Sequence, residues 1–289
     1  MLNHFIRPNV ITPNSIRNKL LIIFTMLITF SCAQTKENDH KTSAEIDVLP
    51  EYVFSPVINH SEQVEQTLTI AKIQNKKALL VLGAQWCHDS KGLAKNFSTP
   101  EMQQILIDNY QVLFIDVGYL EKGFDVVKKF NLPVYYGTPT VMVVDPNSAK
   151  VLNRSSMQKW LNADKVPLTE YVEYFNAFSS NNSALNSNEL VETNQAMQTY
   201  LSQINKFEQQ QAVRLKEAYG VIGPLLQQYM ESDDKKASDE FSNTWEQVHD
   251  LRYRIQDDIQ ALMAQAKTNV DTGSSAPLDL PTYPAFRWE

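Results

Sequence analysis

The sequence predicts an α/β/α sandwich followed by a helical hairpin. Three observations carry that prediction. Between about residues 51 and 180, short apolar runs of strand character alternate with segments of helical period. One of those runs, KALLVLGA at 77–84, is apolar throughout, the pattern of a strand buried on both faces. After Asn181 the chain turns rich in Gln, Asn and Glu and keeps a long helical period.

The elements follow in order. The strand at 77–84 runs into a helix over SKGLAKNF. STPEMQQILIDNY opens with helix-start chemistry. Either Thr99 caps with Pro100 in the first helical position, or Ser98 and Glu101 form a capping box. QVLFIDVG at 111–118 is the next strand, and GFDVVKKFNL a short helix. TVMVVD at 140–145 and KVLN at 150–153 form a hairpin across Pro146-Asn147. LTEYVEYFNAF, with Tyr171, Tyr174 and Phe175 at helical spacing, closes the domain. Strands alternating with helices, then a hairpin and a helix, build layers around a central sheet.

The first 31 residues stand outside that plan. Arg7, Arg17 and Lys19 precede the apolar run LLIIFTMLITF at 20–30, with no acidic residue before it. A positive segment followed by a short apolar run reads as an export signal, too short to span a bilayer. Ser31-Cys32 resembles a bacterial lipobox, whose cysteine is lipidated and becomes the new N-terminus, although Thr29 stands where that motif has Leu. Ser31-Cys32-Ala33 also fits a small-x-small cut by ordinary signal peptidase. The favoured reading lipidates Cys32 and anchors the protein to a membrane in the bacterial periplasm or cell envelope. The polar stretch AQTKENDHKTSAE then serves as a flexible tether. The chain thus divides into a signal at 1–31, a tether at 32–50, the sandwich at 51–180 and the helical region at 181–289.

Composition narrows the function. Of 289 residues, 43% are hydrophobic and 20% charged, a globular balance. A formal charge of −7 argues against a broad nucleic-acid surface, which shows a basic excess. With only Cys32 and Cys87, no disulfide framework holds the fold together.

The chemistry gathers at Gly83–Gly92, GAQWCHDSKG. Strand, Trp86-Cys87-His88-Asp89-Ser90, helix, and then Gly137-Thr138-Pro139-Thr140 before a hairpin: this order resembles the thioredoxin superfamily, and within it the exported bacterial members with WCHDS in place of a dithiol motif. The resemblance covers roughly residues 65 to 180. It implies a thioredoxin-like sandwich, a cis Pro139 packed beside Cys87, and Thr138 offering backbone groups to an extended peptide.

A cysteine in the first turn of a helix lies near unpaired N–H groups and the positive dipole end, which favour the thiolate, the nucleophile of disulfide exchange. Ser90, one turn on, is placed to donate its hydroxyl to the sulfur. His88, when protonated, also favours the thiolate, and Asp89 opposes it. Both also fit plain solvated first-turn residues. Trp86 supplies an apolar wall or a packing aromatic. Cys-His-Asp in direct succession lacks the spacing of a chelating loop, so neither a metal nor another cofactor is expected. Ser90 cannot resolve a mixed disulfide, so Cys87 must wait for an external thiol reductant. The expected function is single-thiol exchange with thiols and disulfides of envelope proteins, an oxidoreductase- or isomerase-like activity. The alternative is a non-catalytic module binding peptides at the Thr138-Pro139 groove and the helical arm.

In the helical region, Leu190, Asn194, Met197, Leu201 and Ile204 form one seam, and Phe241, Trp245, Val248, Arg252, Ile255, Ile259 and Leu262 another, at alternating spacings of four and three. Gly220, Gly223 and Pro224 are expected to interrupt the first helix, and SDDKKASD to make a charged turn. The region reads as a coiled-coil-like hairpin packing on itself and on the sandwich, or as a dimerisation or client-binding arm. Its seams can be satisfied within the hairpin, which makes it an ordered satellite the sandwich does not require. PLDLPTYPAFRWE is too proline-rich for a helix and suits a groove.

Overall fold

The computed structural model describes residues 51–56, 59–179 and 195–289. The expectations placed on residues 1–50, Cys32 included, and on Leu190 and Asn194 lie outside these. Helix α1, His60–Ile73, leads in, capped by the Asn59 side chain accepting from the Glu62 N–H at 3.1 Å. It leads to β1, Lys77–Gly83, then α2, His88–Phe97, and α3, Pro100–Asn109. Thr99 caps α3 with Pro100 in its first turn, the first of the two arrangements open from the sequence. Strand β2, Tyr110–Asp116, and α4, Phe124–Lys129, precede the hairpin β3, Thr140–Asp145, and β4, Lys150–Val151. A 3-10 segment, Arg154–Lys165, and α5, Leu168–Ser179, complete the sandwich. Neither α1 nor the 3-10 segment was foreseen.

The sheet runs β2-β1-β3-β4, with β1 parallel to β2 and antiparallel to β3. Leu80 lies opposite Leu113 on one side and Met142 on the other. Because side chains alternate along a strand, β1 feeds two cores. Leu79 and Val81 join Phe97, Trp160, Tyr171 and Phe175 beneath α2, α3 and α5. Ala78, Leu80 and Leu82 face α1 and α4. All five are fully buried, which explains the unbroken apolar run.

Two long helices follow, α6, Gln195–Glu231, and α7, Asp239–Thr272, the latter capped by Ser238 accepting from the Phe241 N–H at 3.0 Å. Two expectations are corrected here. First, α6 runs unbroken through Gly220, Gly223 and Pro224. Proline removes one backbone hydrogen bond, but its ring meets the carbonyl of residue i−4, which here belongs to exposed Gly220, and packing of the buried side pays for the loss. Gly223 lets the helix approach the loop before α4, since a Cβ there would stand 2.6 Å from the Tyr119 carbonyl oxygen. Second, the seams are not satisfied within the hairpin alone. Leu215, Tyr219, Ile222, Leu226, Val248, Leu251 and Ile255 belong to one cluster with Leu80, Leu82, Val126 and Met142. The hairpin forms a layer over one face of the sheet.

Polar links reinforce that seat. The buried Glu208 carboxylate accepts from the Tyr136 hydroxyl at 2.9 Å and from Arg154 at 2.8 Å, and the Tyr219 hydroxyl donates to the Tyr135 carbonyl at 3.1 Å. Farther out, Met197, Tyr200, Ile204, Phe207 and Leu262 close the hairpin with Leu278 from the irregular C-terminal segment. Arg214 pairs with Glu289 and holds its carboxyl below the ordinary range. Among the described residues no helix is long and apolar enough to cross a membrane.

Candidate functional site

Cys87 sits where β1 turns into α2. Its N–H donates to the Ala84 carbonyl at 3.1 Å and its carbonyl accepts from the Lys91 N–H at 3.1 Å, so it is the N-cap residue, in extended conformation. The thiol does not cap the helix. It donates to the Thr138 carbonyl at 3.3 Å, a contact between residues 51 apart in sequence. The next peptide bond, Thr138–Pro139, is cis. The Thr138 N–H has no hydrogen-bond partner among the described residues. Cys87 keeps 9% of its surface exposed, so the sulfur lies at the edge of the core rather than within it.

Ser90 lies one turn along α2 and is fully buried. Its hydroxyl does not bond to the sulfur as expected; it accepts instead from the Ala84 N–H at 3.4 Å. The reason is the strand end beneath it. A Cβ on Gly83 would stand 2.6 Å from the Ser90 oxygen and 2.5 Å from the Phe54 ring, so glycine there lets the helix start settle onto β1. Trp86 is held from two sides. Its indole N–H donates to the Gly118 carbonyl at 2.7 Å, and its ring meets the edge of Trp245 in α7, centroids 6.4 Å apart.

His88 and Asp89 are more than solvated first-turn residues. The Asp89 carboxylate accepts from the Asp164 N–H at 3.1 Å, and exposed His88 lies 3.5 Å from the Asp164 carboxylate. Together they tie the start of α2 to the end of the 3-10 segment. Gly92 permits that contact, since a Cβ would meet Asp164 at 2.7 Å.

Two neighbours carried no recognisable signal or only an indirect one. Asp116 ends β2 opposite Gly83, and burial raises its pKa against the opposing Gly118 N–H. Arg252 of α7 reaches the Gly137 backbone, where a Cβ would stand 3.0 Å from its Nη1. Its signal was a charge within an apolar seam. Among the described residues no group of three or more His, Cys, Asp or Glu side chains is placed to hold a metal ion. A surface cavity lined by Asn59, His60, Glu121, Lys122 and Phe124 includes none of the thiol-site residues. Thiol chemistry, rather than concavity, marks the site.

Residues 59–146 match the family model described as Thioredoxin-like. A solved structure of similar chain is titled disulphide isomerase from Xylella fastidiosa Temecula1. It shares 26% identity over 45% of this chain and 100% of its own, with a TM-score of 0.40. No curated protein matches the chain.

Proposed function

We propose, from the premise that this chain carries a thioredoxin-like domain, that it is an exported, lipid-anchored protein whose Cys87 exchanges with thiols and disulfides of envelope proteins. The family match supports a thiol–disulfide oxidoreductase-like role. One observation carries the finer reading: Cys87 Sγ lies 3.3 Å from the Thr138 carbonyl beside the cis Pro139, while position 90 holds a buried serine. Export and anchoring through Cys32 draw their support from residues 7–32 of the sequence.

The step follows from these groups. Loss of the thiol proton frees the Thr138 carbonyl, so both backbone groups of Thr138 are open to an extended peptide. The Cys87 thiolate attacks one sulfur of the partner's disulfide. A new S–S bond forms, the old one breaks, and the departing thiolate takes a proton from water. Ser90 cannot displace the partner. A second thiolate, from an external protein or small thiol, attacks the mixed disulfide and restores Cys87.

Mass spectrometry after treatment with a small disulfide tests this. The full chain should accumulate one adduct on Cys87, and Cys87→Ala should lack it. Ser90→Cys should shed the adduct and bond its introduced cysteine to Cys87, which lies within disulfide reach one helical turn away. A Cys87 that stays unmodified in the folded protein overturns the proposal.

A further inference from the structure

Arg252 stands in an apolar seam of α7, between Val248 and Ile255, which are both buried. The residues one turn away on its own helix are Val248, His249, Ile255 and Gln256, none of them acidic. Its guanidinium lies 5.9 Å from the Trp245 ring centroid and 5.3 Å from that of Tyr253. It acts on the Tyr219 hydroxyl and abuts Gly137, beside the residue whose carbonyl receives the Cys87 thiol. Among the described residues no carboxylate pairs with it, and its Nε is buried without a hydrogen-bond partner. The acidic groups flanking α2, Asp89 and Asp164, are engaged with the Asp164 N–H and with His88. A half-buried cation with no carboxylate against it is incompletely compensated by a neutral hydroxyl and two rings, and a guanidinium fork fits a carboxylate in two parallel hydrogen bonds.

We propose that α7 is the second wall of the thiol site and that Arg252 selects thiol and disulfide partners carrying a carboxylate beside the reacting sulfur. This rests on the thiol-exchange reading above. Trp245 continues the wall, edge-to-face with Trp86 and tilted 31° against Phe241. A peptide entering along Thr138 passes Gly137 and therefore the guanidinium. The covalent step is unchanged: Cys87 thiolate in, partner thiolate out, one S–S bond made and one broken.

Two disulfide probes separate the claims: dithiobis(nitrobenzoate), with a carboxylate on each ring, and uncharged dithiodipyridine. Rates are measured on the full chain, with Cys87→Ala subtracted as the blank. Arg252→Gln should slow the anionic probe about tenfold, the scale of one charge-assisted hydrogen bond, and leave the neutral one within about twofold. Arg252→Lys should recover part of the loss. The unaltered protein supplies an independent readout. With a net charge of −7 it repels a dianion overall, so screening alone would speed that reaction as salt rises. Control by Arg252 makes salt slow it, with the neutral probe unaffected. Equal losses for both probes in Arg252→Gln, no loss in either, or an anionic rate that rises with salt overturns the selectivity. If the parent's Cys87 reacts with neither probe, the thiol-exchange reading itself falls and this proposal with it.

Discussion

The two faces of β1 are covered in different ways. The face carrying Leu79 and Val81 is sealed by α2, α3 and α5, elements that follow within the next hundred residues, and its core is aromatic: Phe97, Trp160, Tyr171 and Phe175. The face carrying Leu80 and Leu82 is sealed by α1 and α4 together with Leu215, Tyr219, Ile222 and Leu251 of a hairpin more than a hundred residues downstream. The first cover is local and self-contained. The second recruits a region of different composition, so a boundary drawn on composition cuts through a core.

The largest test of that contrast ends the chain at Ser179. The hairpin contributes Leu215, Tyr219, Ile222, Leu226, Val248, Leu251 and Ile255 to the shared cluster, at about 1.5–3 kcal/mol for each fully buried side chain. Even half of that total rivals the whole stability of a domain, about 5–15 kcal/mol. The truncated chain should lose cooperative unfolding in urea. A sharp transition near the parent's midpoint would make the hairpin a satellite the sandwich does not require.

A matched pair of glycines sharpens the contrast on α6. Gly223→Ala places its Cβ 2.6 Å from the Tyr119 carbonyl oxygen and should cost about 1–3 kcal/mol despite alanine's better helix propensity. Gly220→Ala, three residues earlier with nothing within 4 Å, should gain about 0.5–1 kcal/mol. Urea midpoints moving in the same direction for both variants would mean that α6 does not seat on that loop.

The smallest effect concerns Asp116, at the end of β2. Burial raises its pKa above the ordinary 3.8, outweighing the Gly118 N–H and Lys122 that lower it. The native state therefore holds a proton that the unfolded chain releases. Its contribution to stability is full below pH 3.8 and is lost as pH climbs through the raised value. Asp116→Asn should flatten the fall in urea midpoint above pH 3.8, and an unchanged slope would assign that fall elsewhere.

Legibility in the sequence followed the range of the interaction. β1 was readable because burial on both faces leaves an unbroken apolar run, and α3 because Thr99-Pro100 is local chemistry. The approach of Cys87 to Thr138 spans 51 residues, yet the order of motifs around WCHDS and GTPT pointed to it. The seams of α6 and α7 gave each helix an apolar face but not what that face meets. Periodicity encodes orientation about an axis, and the partner lies in tertiary packing. The same limit hid the role of Gly223, read as a break because its reason is a carbonyl on another element. It also hid Arg252, whose place in a seam was visible and whose neighbour Gly137 was not.

The approach of Gly223 to Tyr119 has a consequence for hydrogen exchange. Tyr119 follows Gly118, whose carbonyl receives the Trp86 indole proton at 2.7 Å. Any opening of α6 that lets this loop relax exposes that proton to solvent deuterium. The Trp86 indole resonance, next to Cys87 in sequence, is thus a spectroscopic reporter for detachment of α6.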